Sequence, residues 1–298
     1  MTAAGDIEAQ LAGHVHIERD AALDTWYRVG GRADLLARPE TAEQLARCVE
    51  VGTAQDQVRI IGDGANLLVA DAGVGGLAVS LQQGDFVRTR IDAKTGRVRV
   101  GAGAALPRLI NTCVAQGLAG IEGIAGIPAT VGGALRMNAG GSFGAIADVV
   151  RTVTVIDRDG TQRTLDRDAI GFGYRTSDLA GRVVVEAELE LTPGDAVALK
   201  ARLKEVMAYK TGSQPMSARS AGCAFRNPTL AEDLQFDGER IGDAGERGVE
   251  GLYLLVDECR DHRAAVAHVD ATALIAETTR GIDSSRRPAM FTRPFSNI

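Results

Sequence analysis

The sequence predicts an α+β protein, with two lobes over roughly residues 20–195 and a separate C-terminal domain. Three observations carry this reading. Short apolar runs of strand length end in glycine turns, as Val58-Arg59-Ile60-Ile61 does at Gly62. Helical and strand patterns recur without the regular alternation of a doubly wound parallel sheet. The 298 residues, 45% of them hydrophobic, suffice for two or three packed units.

Residues 41–53 read as a helix capped by Thr41, with Leu45 and Val49 on its apolar face. Residues 58–61 read as a strand, and residues 67–69 and 77–81 as further strands. Val98-Arg99-Val100 forms another and leads into Gly101-Ala102-Gly103. Residues 106–116 have helical spacing, with Gly117 as the C-cap. Between 149 and 157, Val153 and Val155 alternate with polar residues, and Asp159-Gly160 turns this strand back into 161–165 as a hairpin. Residues 183–191 alternate again, and 195–210 read as a helix opening a third region. The expected division is 1–80 and 81–195 for the lobes and 196–298 for the C-terminal domain.

The net charge is −6 and no long basic run occurs, so no nucleic-acid partner is expected. An anionic ligand must then be held by local backbone N–H arrays and a few Arg or Lys side chains. The first 23 residues carry no apolar core flanked by basic residues, so no secretory signal is expected. The apolar stretches fall short of the ~18 residues of a membrane helix. The expectation is a cytoplasmic chain without membrane insertion; oligomeric state is not legible. Cys48, Cys113, Cys223 and Cys259 lie far apart without metal-ligand spacing, and the four histidines do not cluster with them. They read as free thiols, with no metal.

Two glycine loops stand out: Ile61-Gly62-Asp63-Gly64-Ala65-Asn66 and Gly126-Ile127-Pro128-Ala129-Thr130-Val131-Gly132-Gly133. Glycine removes the Cβ that blocks close approach and allows positive φ, so consecutive N–H groups can converge on a phosphate. Either loop alone is equally a tight turn between strands. The usual dinucleotide fingerprint is absent: Gly101-Ala102-Gly103 lacks its third glycine and its downstream acid.

Beside these loops stand Thr25-Trp26-Tyr27-Arg28-Val29-Gly30-Gly31, Arg136-Met137-Asn138-Ala139-Gly140 and Phe172-Gly173-Tyr174-Arg175-Thr176-Ser177. Ser220-Ala221-Gly222-Cys223-Ala224-Phe225-Arg226-Asn227-Pro228 follows. In this order, over roughly residues 22–228, the motifs resemble those of the UDP-N-acetylenolpyruvoylglucosamine reductases, in their shorter subtype. The resemblance implies the two-lobed FAD-binding fold of the vanillyl-alcohol oxidase and p-cresol methylhydroxylase type, with a C-terminal α/β substrate domain. It implies FAD as cofactor, its pyrophosphate held by Ile61 to Asn66 and by Gly126, Ile127, Pro128, Gly132 and Gly133. It also implies NADPH as reductant and an enolpyruvyl UDP-sugar as the small-molecule substrate, in peptidoglycan precursor synthesis.

Reduction of an enol ether beside a carboxylate builds negative charge on the adjacent carbon. That charge needs a cationic partner and then a proton. Arg175 matches the family's arginine, and a planar, always charged guanidinium suits the role. Cys223 stands where the family usually has a proton-donating serine. A thiol, with pKa near 8.5, is the stronger acid. Asn227 resembles a substrate-contacting asparagine. Lys210 and Gln214 match a Lys and a Gln-Pro segment at the substrate, and Tyr174 reads as packing beside the flavin and the substrate. Asp63 stands where many relatives have glycine, and an acid beside pyrophosphate is unfavourable unless it points away.

The pattern decays after about residue 240. After Gly281-Ile282-Asp283 the chain reads Ser284-Ser285-Arg286-Arg287-Pro288, with no counterpart of the family's C-terminal glutamate. Asp283 and Glu277 do not match its motif. Three readings stay open: a diverged domain that keeps activity, a relative that binds FAD or nucleotide-sugar without turnover, and an altered C-terminal reading frame. An FAD oxidase of the same fold is a further alternative, disfavoured by Arg175 and Asn227.

Overall fold

The computed structural model describes residues 3–55, 57–213, 234–236 and 239–242. The chain divides into units Met1–Ala221 and Gly222–Ile298. In the second, strands Leu234–Phe236 and Glu239–Gly242 pair as an antiparallel hairpin. The elements that follow belong to the first unit.

The first lobe contains α1 (Ala3–Leu11), β1 (His16–Ala21), β2 (Ala33–Arg38), α2 (Ala42–Ala54), β3 (Val58–Ile61) and β4 (Val74–Ser80). Its sheet runs β1-β2-β4-β3, with β1 antiparallel to β2 and with β2 and β3 both parallel to β4. Parallel strands need a crossover, which α2 supplies. Thr41 caps α2 as expected, its hydroxyl accepting from the Gln44 N–H at 3.3 Å. Both sheet faces are covered, which is why β2 and β4 read as nearly continuous apolar runs. Leu35, Ala37, Leu77 and Val79 face Leu45 and Val49 in the main core, while Leu36 and Ala78 join Ala21, Ala33 and Ile61 in a second cluster.

The second lobe contains β5 (Thr89–Asp92), β6 (Arg97–Gly101), α3 (Leu106–Ala115), α4 (Val131–Arg136), β7 (Val150–Ile156), β8 (Gln162–Asp166) and β9 (Val183–Glu190). Its antiparallel sheet has the order β8-β7-β9-β6-β5. One face buries Val98, Val100, Val153, Val155, Ala187 and Leu189. The other carries cross-strand charges, with Glu188 between Arg97 at 2.5 Å and Arg151 at 3.2 Å. The hairpin turn and the helix end sit where the glycines placed them: Gly160 has φ +81° and Gly117 φ +73°, conformations that suit glycine.

Two elements differ from expectation. Residues 67–69 form no strand. The Ala70 carbonyl accepts from Gly31 and Gly73, so this segment hooks around Gly30-Gly31 instead of joining a ladder, and Leu68 stays exposed. The helix expected to open the C-terminal domain, α5 (Ala196–Ser213), lies in the first unit. Its Leu199, Leu203, Val206, Met207 and Lys210 form one buried or half-buried stripe. Among the described residues, no helix is long and apolar enough to cross a membrane.

Cys48 and Cys113 are fully buried free thiols, and burial pushes both up to about 12. The nucleophile is the thiolate, so both are expected to stay unalkylated at neutral pH in the folded chain and to react at once in denaturant. Peptide mapping after iodoacetamide treatment measures this; native labelling of either residue would contradict the packing.

Candidate functional site

At the end of β3 the chain turns through Gly62-Asp63-Gly64. Gly64 has φ +62°, and a Cβ there would lie 2.8 Å from the Thr25 Cα. A Cβ on Gly62 would lie 2.6 Å from the Thr130 hydroxyl oxygen. The two glycine loops, one from each lobe, therefore meet in direct contact, and the Thr25 motif packs behind the first.

Thr130 is buried and caps α4, its hydroxyl accepting from the Gly133 N–H at 3.3 Å. The Val131 N–H donates to the Ala104 carbonyl at 2.9 Å and the Gly132 N–H to the Ala102 carbonyl at 2.8 Å. Gly132 also packs tightly, since a Cβ there would stand 3.0 Å from that of Ala102. Gly132 lets α4 approach the 102–104 turn, and the N–H groups of Gly132 and Gly133 have protein partners. The donors that remain lie elsewhere. Among the described residues, the N–H groups of Asp63, Gly64, Ala65 and Asn66, and of Gly126, Ile127, Ala129 and Thr130, donate to no protein group. Pro128 has no N–H to offer.

Gly126 has φ +78° and faces α5, where a Cβ would come within 3.1 Å of the Lys210 Cδ and 3.2 Å of the Met207 sulfur. Lys210 is buried and donates from Nζ to the Ala125 carbonyl at 2.5 Å. It thus anchors the second glycine loop, a position not anticipated from sequence. Asp63 points to Gln82, whose Nε2 donates to Oδ1 at 2.7 Å. Burial raises the Asp63 carboxyl above the usual carboxylate range, the Gln82 bond opposes this, and Asp24 pushes it further up.

Arg175 sits in a tight turn between strands Phe172–Gly173 and Thr176–Ser177. Its guanidinium donates to the Gly140 carbonyl at 2.5 Å and lies 5.5 Å from the centre of the Tyr174 ring. The Ser177 hydroxyl donates to the Arg136 carbonyl at 3.0 Å. The Asn138 carboxamide donates to the Gly173 carbonyl at 3.0 Å and accepts from the Ala147 N–H at 3.3 Å. The 136–140 motif thus grips the 172–177 motif along its length. The six residues of α4, at about 1.5 Å each, span about 9 Å between its Thr130 cap and Arg136, whose carbonyl accepts from Ser177.

The structure therefore gathers Ile61 to Asn66, the second loop and Lys210 at one end of α4, and Tyr174 and Arg175 at the other. Gln214, Cys223 and Asn227 lie outside the described residues. Thr130 and Asn138 stand inside motifs read from the sequence, which assigned neither of them a role of its own. A threonine just before Val-Gly-Gly was a legible cap signal, whereas the partners of Asn138 at Ala147 and Gly173 lie too far along the chain to be read locally.

Comparison with known proteins matches the FAD binding domain family over residues 33–166. The chain is 39% identical over 229 residues to UDP-N-acetylenolpyruvoylglucosamine reductase 2 of Symbiobacterium thermophilum, covering 74% of this chain and 73% of the relative. It is 38% identical over 250 residues to the UDP-N-acetylenolpyruvoylglucosamine reductase of Moorella thermoacetica, covering 81% of each. The crystal structure of UDP-N-acetylenolpyruvylglucosamine reductase from Thermus caldophilus superposes with a TM-score of 0.62 at 32% identity, over 89% of this chain and 94% of that one.

The loop contact predicts a coupled pair. Gly62→Ala is expected to cost about 1–3 kcal/mol through overpacking. Removing the Thr130 hydroxyl first, in Thr130→Ala, should shrink that penalty. Denaturant melts of the two single variants and the double variant measure the coupling; equal penalties in both backgrounds would show that the side chains do not meet.

Proposed function

This chain belongs to the UDP-N-acetylenolpyruvoylglucosamine reductase family, and from that premise we propose that it reduces the enolpyruvyl ether of UDP-N-acetylglucosamine enolpyruvate to UDP-N-acetylmuramate, with FAD as cofactor and NADPH as reductant. The observation that carries this reading is the meeting of Gly62 with Thr130. It brings together two loops whose N–H groups at 63–66 and at 126, 127, 129 and 130 lack protein partners. Such donors suit a pyrophosphate, because an N–H left without any partner costs free energy and an anion rewards several converging ones. Backbone approach through glycine also suits a chain of net charge −6 with no long basic run.

FAD, when bound, would supply the hydride chemistry, with NADPH as the source of the hydride and the enolpyruvyl double bond as its acceptor. The chain's own residues do the rest. The N–H groups of Asp63 to Asn66 and of Gly126, Ile127, Ala129 and Thr130 would hold the pyrophosphate, and Lys210 keeps the second loop in place from α5. Arg175 stabilises the carboxylate as charge develops beside it, and its stacking on Tyr174 orients the guanidinium. Cys223 gives the proton to the carbon that bears this charge. Gln214 and Asn227 contact the substrate. The UDP-sugar and NADPH are cytoplasmic metabolites, which accords with a cytoplasmic enzyme.

The deciding measurement is NADPH oxidation by flavin-loaded protein of confirmed intact mass. Oxidation is expected only when the enolpyruvyl UDP-sugar is present. Ligand-induced thermal stabilisation without turnover would instead identify a binding-only relative, the outcome suggested by the absence of a glutamate after Gly281-Ile282-Asp283. Cys223→Ala should slow flavin reoxidation by substrate and spare reduction by NADPH; equal survival of both steps removes Cys223 as the donor.

Asp63 gives a pH prediction. Its carboxyl titrates above the usual range, so the charge that opposes pyrophosphate is absent at low pH and present in full once pH rises past that titration. FAD affinity is therefore expected to fall as pH rises through it. Asp63→Asn, which keeps an acceptor for Gln82, should bind FAD severalfold tighter at neutral pH and show no such fall. The gain stays modest because the side chain is half-buried and partly screened. Fluorescence titration across pH measures both effects; parallel curves for the two proteins would refute the assignment.

A further inference from the structure

The turn that presents Arg175 carries backbone strain. Arg175 has φ +54°, in the left-handed region that a residue with a Cβ rarely adopts, so the conformation needs support from outside the turn. Among the described residues, three hydrogen bonds contribute to it. One comes from the Arg175 guanidinium itself to the Gly140 carbonyl, and one from Ser177, at the end of the turn, to the Arg136 carbonyl. The third, from Asn138 to the Gly173 carbonyl, comes from a side chain outside the turn.

We propose that Asn138 is a positioning residue for the reduction, fixing the turn through which Arg175 reaches the substrate carboxylate. This rests on the role proposed above for Arg175. Asn138 itself has φ +43°, a backbone that asparagine tolerates better than most residues. There its carboxamide lies between two segments, donating to Gly173 on one side and accepting from Ala147 on the other. Ala147 belongs to the short helical turn Ile146–Asp148, and Ile146 is buried in the main core. Asn138 therefore ties the Arg175 turn to the rigid part of the lobe. Its carboxamide is engaged by protein on both sides and is placed to orient another residue. A displacement of about 1 Å at a reacting geometry costs on the order of a hundredfold in rate. Loosening the turn should therefore appear in the substrate step and leave the NADPH step alone.

Two variants separate this from a general loss of structure. Asn138→Gly suits the left-handed backbone and removes the carboxamide. Asn138→Asp keeps an acceptor for Ala147 and loses the donor to Gly173. Both are compared with Arg175→Met as full-length, flavin-loaded chains. Stopped-flow absorbance separates flavin reduction by NADPH from reoxidation by UDP-N-acetylglucosamine enolpyruvate, and hydrogen exchange reports opening of residues 172–177. The expected result is that all three variants slow reoxidation by about tenfold or more while reduction stays within about twofold. Both Asn138 variants should also exchange about tenfold faster in the 172–177 segment. Reoxidation at the wild-type rate in Arg175→Met overturns the role of Arg175 and this inference with it. A slow Arg175→Met beside Asn138 variants at the wild-type rate leaves Arg175 standing and overturns Asn138 alone. Equal losses in both steps also overturn it, since the carboxamide then only supports the fold.

Discussion

Between the end of β3 and the start of α4 there is no room for a methyl group. Gly62 lies so close to the Thr130 hydroxyl that any Cβ would collide with it. The position of Thr130 is itself over-determined. It caps α4, and the next two N–H groups are tied to the Ala104 and Ala102 carbonyls just beyond β6. The first lobe is thus brought against a fixed point of the second, through a glycine that adds no bulk. Relax this contact and the two glycine loops no longer meet.

The same fixed point governs the other end of the site. α4 is short, and its far end meets the Arg175 turn through the bond from Ser177 to the Arg136 carbonyl. A helix resists stretching because each residue adds the same small rise. The separation between the Thr130 cap and the Arg136 carbonyl is therefore set by how many residues α4 contains. The segment beyond it, 136–140, holds the turn by backbone carbonyls and one carboxamide. Binding and chemistry in this reading are two ends of one short, rigid element.

α5 adds a second restraint. Its stripe from Leu199 to Met207 buries apolar side chains, and Lys210 continues that stripe to reach the Ala125 carbonyl. A buried lysine is costly unless its ammonium is hydrogen-bonded. Here it satisfies the carbonyl that precedes Gly126, so it rigidifies the second loop in return. The helix that seemed to begin a new domain instead braces the FAD-binding unit.

Much of this was legible in the chain because it rests on neighbours in sequence. Thr41 capping α2, Gly117 ending α3 and the turn at Asp159-Gly160 each close hydrogen bonds within a few residues, so residue type alone specifies them. The glycine loops and the motifs around Arg175 were legible through their order along the chain, which resembles that of the family. Tertiary structure alone decided which loop N–H groups stay unpartnered, that Gly132 serves packing, that Lys210 faces Ala125, and that residues 67–69 hook around Gly31. Each depends on groups distant in sequence competing for the same donor, acceptor or space. A sequence records that a glycine or a lysine is present, but only the folded chain determines which partner reaches it first.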